Sequence, residues 1–422
     1  MKKLFSILFL ALAINCYSQQ KSCTIEGTVV DYLEAKILWL APSNSDYRIS
    51  PPIDIPVNED GSFSYTLEFN ESELYSIVFK KDVVGGSWKP CKFLLENDTI
   101  SFTLYPKNSP NKSVMSGGEL NDKLDNYLNS ELKQGYQNQL SDLYNKLQEL
   151  EENAYTPEYN EWMKEMRKDN LAREQLDSLY KVHNRLVEQD LQYNEEGKAI
   201  INKAKQLSKE SENATLNEIT EEANVASLAV LYQYVISNNH SMTPDTEKAS
   251  LFKEILNDVF SSDYSQNPMY GYIEQELLSG ETVVGSKFVD FSAHDLDGNT
   301  HKLSDLIKGK VVVLDLWASW CGPCMRTSKS FIPVWEKYND KGFDIIGVAR
   351  EKDNTDAMKG AIERIGMKWL NLVEQNDKGG IWSKYNAGNS GGKVILIDSE
   401  GKIVAMEFDA DELEAHLQEL LK

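Results

Sequence analysis

Apolar and polar positions follow three rhythms along this chain, and each predicts a different kind of structure. From Cys23 to about Tyr105 the apolar residues come in short runs divided by turn-forming residues, which predicts strands over 24–30, 36–40, 62–69, 74–79, 92–95 and 99–104. Asn58 to Gly61 and Glu96 to Asp98 supply turns between them. Strands of this length and spacing predict a β-sandwich. From Gly118 to about Leu278 the spacing is helical, in Leu140, Leu143, Tyr144, Leu147 and Leu150 and again in Val225, Leu228, Ala229, Leu231, Tyr232 and Val235. Charges interleave the first set, which reads as a solvent-flanked arm. The second set, with Leu251, Ile255, Leu256 and Val259, reads as the core of an all-α bundle. Asn153 to Pro157 and Met242 to Asp245 mark helix breaks.

The last third alternates strands with helices. Val311 to Trp317 is a continuous apolar run of the kind buried on both faces of a sheet, and Phe343 to Ala349 is a second. Val394 to Ile397 and Ile403 to Phe408 form a hairpin about Ser399 to Gly401. Helices are predicted from Cys321 to about Gly342, from an N-cap at Thr355 to Gly366, and over Asp411 to Leu421, where Leu413, Leu417 and Leu420 share a face. A sheet covered by helices on both faces follows, an α/β domain.

A chain of 422 residues, 41% apolar and 26% charged, exceeds one ordinary domain and supports several cores. The divisions read as 1–18, a secretory signal; 19–110, the β-sandwich module; 111–280, the helical module; and 281–422, the α/β domain. Lys2 and Lys3 followed by apolar Leu4 to Ile14 make an export signal too short to remain as a membrane span. Cleavage after Ser18 is the simpler processing; a lipid anchor on Cys16 is the alternative, set against Asn15, which is not small. The protein is therefore expected to be exported. A formal net charge of −22 argues against nucleic acid or an anionic membrane surface as partner.

Chemistry concentrates at Trp320-Cys321-Gly322-Pro323-Cys324, between the first buried strand and a helix. Two thiols separated by two residues at a helix start close into a disulfide with little movement, and the helix N-terminus favours the thiolate of the first. Cys321 is thus the expected nucleophile and Cys324, a turn further in, the resolving thiol. Zinc is the rival use of such a pair, but it needs four ligands, no second Cys-x-x-Cys exists, and the five histidines are scattered, with His294 and His301 in what reads as a surface turn region. Cys23 and Cys91, in an early and a late strand of the β module, are placed to staple it in an oxidising compartment. Trp317 reads as packing; Trp320 reads as a partly exposed rim for a partner chain.

Gly285 to Phe291, Asp297 to Asn299, Leu303 to Leu306 and Lys308 to Cys324, followed by Gly342 to Val348 and Val394 to Val404, resemble in order the TlpA and ResA type of thioredoxin-like protein. The resemblance covers roughly the last third of the chain. It implies a thioredoxin-like fold and thiol-disulfide oxidoreductase activity carried by the dithiol, with no other cofactor and no metal. Asp315 stands where thioredoxins carry a buried acid, which would accept the proton of Cys324; the alternative is a strand-end aspartate satisfied by backbone donors. The small β module ahead of the domain is also typical of such envelope proteins. Trp320, Gly322, Pro323 and Gly392 make up the expected substrate-contacting surface. Two positions depart from the pattern. Gly392 stands where the fold usually places a cis-proline, and Thr327 where ResA-like proteins carry a glutamate. A non-proline cis bond costs about 2.5 to 4 kcal/mol, so none is expected at Gly392.

With the export signal, the resemblance implies a reductase of protein disulfides in the periplasm or cell envelope, with a membrane electron donor to recharge it. The competing readings are an envelope binding protein whose thioredoxin-like domain is degenerate, and a thiol peroxidase, which lacks the Pro-x-x-x-Thr-x-x-Cys context before Cys321.

Overall fold

The computed structural model describes residues 21–422 apart from 33, 48, 110–111, 239–246, 280–281 and 388–390. The export signal, Cys16, the break at Met242 to Asp245, and Asn389 with Ser390 lie outside the described residues.

The N-terminal strands are β1 (Lys21–Val29), β2 (Ile37–Pro42), β3 (Ile53–Pro56), β4 (Ser62–Phe69), β5 (Leu74–Phe79), β6 (Cys91–Leu94), β7 (Thr99–Leu104) and β8 (Val114–Ser116). They form two four-stranded sheets, ordered β4-β1-β7-β8 and β3-β2-β5-β6. Alternate residues such as Cys23 and Ile25, Leu38 and Leu40, and Phe93 with Ile100 and Phe102 fill the space between the sheets. The predicted staple is absent. Cys23 lies buried in β1 and Cys91 partly buried in β6, strands of different sheets, and both are free thiols. Burial pushes both thiols up, Cys91 to about 11, so neither is poised as a nucleophile.

Glu131–Glu149 and Glu195–Glu221 are the long helices of the arm and pack along each other. Val225–Asn238 is buried on most of its circumference, because Glu119–Asn129, Glu195–Glu221 and Pro268–Ser279 all pack on it. Its core runs into the sandwich: Leu74 and Leu94 join Leu124, Leu228 and Phe252 in one cluster. At the junction the Glu96 carboxylate accepts the backbone N–H groups of Leu120 (3.1 Å) and Asn121 (3.1 Å), at the start of the helix Glu119–Asn129. An anion at that end complements the helix dipole.

The C-terminal sheet contains β9 (Ser292–Asp295), β10 (Thr300–Lys302), β11 (Val311–Trp317), β12 (Phe343–Glu351), β13 (Leu370–Gln375), β14 (Lys393–Ile397) and β15 (Ile403–Met406). The order is β10-β9-β13-β12-β11-β14-β15, with β11, β12 and β13 parallel and β14 antiparallel to β11. Every residue of β11 is buried, which is why its sequence shows no alternation. The helices Gly322–Tyr338, Asp356–Ile365 and Ala410–Leu420 follow the predicted spans, the second ending at left-handed Gly366. His294 and His301 lie not in a turn but on the two strands of the β9-β10 hairpin, where the ring Nε2 of His301 is 2.8 Å from Oδ2 of Asp295.

The three modules are tied directly to one another. Arg350, at the end of β12, places Nη1 3.0 Å from Oδ2 of Asp46 in the β module, both side chains being only 6% exposed. The helix Pro268–Ser279 packs on the short helix Ile381–Lys384 of the α/β domain.

Candidate active site

β11 carries the chain out of the sheet at Trp317, and Ala318 to Trp320 turn it into the helix Gly322–Tyr338. Cys321 is the N-cap: its Sγ accepts the backbone N–H of Cys324 at 3.3 Å, the place a serine or aspartate side-chain oxygen ordinarily takes. Pro323, in the helix's first turn, has no N–H to leave unsatisfied there. Cys321 and Cys324 are joined as a disulfide, their Cα atoms 5.3 Å apart. Both are nearly buried, while Gly322 is half-buried and Pro323 exposed.

Asp315 is 1% exposed in the middle of β11. Burial pushes its carboxyl up to about 7, with the Ser328 hydroxyl pulling the other way by donating to Oδ2 at 2.7 Å. Ser328 Oγ also lies 3.0 Å from the carbonyl of Cys324. One hydroxyl proton serves two acceptors, so Ser328 faces the carboxylate when Asp315 is ionised and is free to turn to the carbonyl when Asp315 is protonated. The chain thus links Asp315 to the turn that bears Cys324 through a residue that sequence reasoning missed. Its signal was position: Ser328 lies four residues after Cys324, on the same buried helix face.

Gly392 approaches from the opposite side. Its N–H donates to Cys324 Sγ at 3.1 Å, and no peptide bond in the described residues is cis. A Cβ at this position would fall 1.8 Å from the carbonyl oxygen of Leu316 and 3.0 Å from Cys324 Sγ. Glycine here is therefore a requirement of close backbone approach, not merely the loss of a proline. An N–H aimed at sulfur stabilises a thiolate on Cys324.

The approach to Cys321 is held from β12. Buried Glu351 accepts Ser319 N–H at 2.7 Å and Ser319 Oγ–H at 2.7 Å, fixing the loop just before Trp320. Trp320 is half-buried and so partly exposed as expected, and its ring lies 6.2 Å from that of Trp382, the two forming one wall. Trp317 is fully buried and donates its indole N–H to Asn371 Oδ1 at 2.9 Å. Arg350 and Lys393 do not point at the dithiol. Arg350 pairs with Asp377 and Asp46 and lies over the Trp382 ring, 5.3 Å from its centroid, and Lys393 Nζ donates to the carbonyls of Tyr385 and Asn386. Thr327 is half-buried beside this site and brings no acid to it. Among the described residues no group of three or more His, Cys, Asp or Glu side chains is placed to hold a metal ion.

Residues 283–421 match the Redoxin family, and residues 23–124 match a domain of unknown function, DUF4369. The thiol-disulfide oxidoreductase ResA of Bacillus thuringiensis (strain Al Hakam) is 33% identical over 141 residues, 32% of this chain and 78% of that protein. ResA of Bacillus cereus (strain ATCC 10987 / NRS 248) is 30% identical over 173 residues, 41% of this chain and 94% of that protein. The crystal structure of the thioredoxin domain of a thiol-disulfide oxidoreductase from Bacteroides vulgatus is 30% identical, covering 33% of this chain and 99% of that one with a TM-score of 0.31. With the α/β domain at its C-terminus, the chain belongs to the TlpA/ResA-like thiol-disulfide oxidoreductases of the thioredoxin superfamily.

Proposed function

We propose that this oxidoreductase is an exported reductase of protein disulfides working through Cys321 and Cys324. The Cys321 thiolate attacks one sulfur of a substrate disulfide; that bond breaks, a mixed disulfide forms, and the departing substrate thiolate takes a proton from water. Cys324 then gives its proton to the Asp315 carboxylate and attacks Cys321 Sγ. The mixed disulfide breaks, the second substrate sulfur leaves and is protonated, and the protein is left with Cys321 joined to Cys324. Two electrons have passed to the substrate, and a dithiol donor at the membrane returns them.

The observation that carries this reading is the convergence on Cys324 of the Gly392 N–H, at 3.1 Å, and of the Ser328 hydroxyl shared with buried Asp315. The Gly392 N–H favours a thiolate on the resolving cysteine, the form that releases product, and the Ser328 hydroxyl joins the buried acid to the backbone of the same turn. Export rests on the apolar stretch Leu4 to Ile14 and places the partners among envelope proteins, with lipidation at Cys16 as a second mode of retention. No helix among the described residues is long and apolar enough to cross a membrane.

Disulfide reduction by the wild type and by Cys321→Ser is the test. Loss of turnover in the variant supports the reading, whereas equal residual rates favour a binding protein and faster turnover of peroxide than of disulfides favours a peroxidase. A Cys324→Ser variant in the native envelope should retain the substrate as a mixed disulfide and so identify it.

A further inference from the structure

A chamber of about 1490 Å³ opens between the modules, and all three build it. The β module contributes Tyr75 and Trp88, the helical module Ile236 and Tyr272, and the α/β domain Trp382 and Gly392. Gly392 is the residue whose N–H touches Cys324 Sγ, so one end of the chamber abuts the redox pair. Neither cysteine lines it, and the far walls belong to modules that contribute nothing to the dithiol itself.

Pockets for small molecules occupy roughly 300 to 1,000 Å³, so this chamber is larger than a low-molecular-weight disulfide needs. Two of its charges are held internally, Arg350 by Asp46 and Asp377 and Lys393 by two carbonyls, while Glu274, Lys378, Lys384 and Glu407 also line it. Beside these polar groups the chamber presents aromatic and aliphatic surface that a bound chain can cover. Trp88 is 50% exposed and Ile236 40% exposed, so a bound chain can reach both. Aromatic residues in a concave site are the usual anchors of a bound polypeptide.

We propose that this chamber binds the extended polypeptide flanking the reacting cysteine of a substrate, selecting aromatic and aliphatic side chains with Trp88, Ile236 and Tyr272. The proposal rests on the disulfide-exchange reading for its placement, but the binding it asserts is measurable without exchange. A substrate cysteine engaged at the dithiol carries chain on either side of it, and the chain that runs past Gly392 enters the chamber.

The test uses the full chain and two short peptides, each with one cysteine as its thionitrobenzoate mixed disulfide. One has leucine and phenylalanine around the cysteine and the other serine and glycine. The wild type should prefer the apolar peptide by roughly tenfold in kcat/KM, equal to about 1.4 kcal/mol, and Trp88→Ala and Ile236→Ser should each lose most of that preference. Both side chains are well exposed, so neither change empties a core. In parallel, the apolar peptide with serine for cysteine is titrated calorimetrically into the Cys321→Ser protein, with and without Trp88→Ala. Binding that Trp88→Ala weakens supports the chamber even if no exchange occurs, in which case the redox reading alone falls. Exchange that proceeds at equal rates on both peptides, or binding indifferent to Trp88→Ala, overturns the chamber without touching the redox reading.

Discussion

Asp315→Asn should change how stability depends on pH. The carboxyl is fully buried in β11 and titrates at about 7 instead of its ordinary 3.8, because burial penalises the charged form. Between those values the folded chain keeps a proton that the unfolded chain has lost, so raising the pH favours unfolding by about 1.4 kcal/mol per pH unit. The stabilisation is whole below pH 3.8, falls through the window and is gone once pH passes about 7, roughly 4 kcal/mol in total. Asparagine carries no titrating proton, so the stability of Asp315→Asn relative to wild type should rise steadily, by roughly 2 kcal/mol between pH 5 and 7. Glu351 and Glu374 are also pushed up by burial, but they are common to both proteins and cancel in the difference. The assay is urea unfolding of the oxidised proteins at half-unit pH steps, which keeps Cys321 and Cys324 out of the titration. A difference between the two proteins that stays flat across this window would refute the reasoning, and with it the buried acid as a proton acceptor.

Ser328→Ala removes the hydrogen bond that holds Asp315 down, so the midpoint of the same difference curve should move to higher pH; an unchanged midpoint would separate Ser328 from the acid. Gly392→Ala forces a methyl against the Leu316 carbonyl and should destabilise the protein by about 1 to 3 kcal/mol, read as a lower urea midpoint. Asp46→Asn deprives buried Arg350 of one carboxylate while Asp377 remains, and should cost about 2 kcal/mol in the same measurement; no loss would mean that the ion pair does not tie the modules.

The α/β domain was legible because its signals are local. A seven-residue apolar run, a Cys-x-x-Cys at a helix start and glycines at helix ends each name one element, and Val311 to Trp317, the active-site helix and the hairpin through β14 and β15 appear where those signals put them. β13 went unread because Leu370 to Gln375 mixes Asn371 and Glu374 with its apolar residues; those polar groups are buried, satisfied by Trp317 and by the N–H groups of Gly379, Gly380 and Ile381. β3 and β8 were missed for their shortness, and β8 for its exposure as well. The surroundings of the dithiol were harder still. Asp315 was visible as an acid in an apolar strand and Ser328 carried a signal in its helix position, whereas Glu351 and the Gly392 contact depend on segments brought together from distant parts of the chain. The free state of Cys23 and Cys91 likewise depends on how their strands are set in space, and no spacing in the sequence encodes that.

The Glu96 carboxylate at the first helix of the middle region bears on where this protein can be divided. Asn121 pairs with β6 like an added strand residue, giving and taking hydrogen bonds at Leu94, and its amide also reaches Glu96 at 2.6 Å. Gly118 faces the same carboxylate so closely that a methyl there would overlap it. A fragment cut at the end of the strands would strand a buried acid and leave a sheet edge uncovered, whereas one carried through Asn129 would take its own lid with it. Folding units in this chain are therefore better drawn by following the partners of a buried charge than by looking for loops.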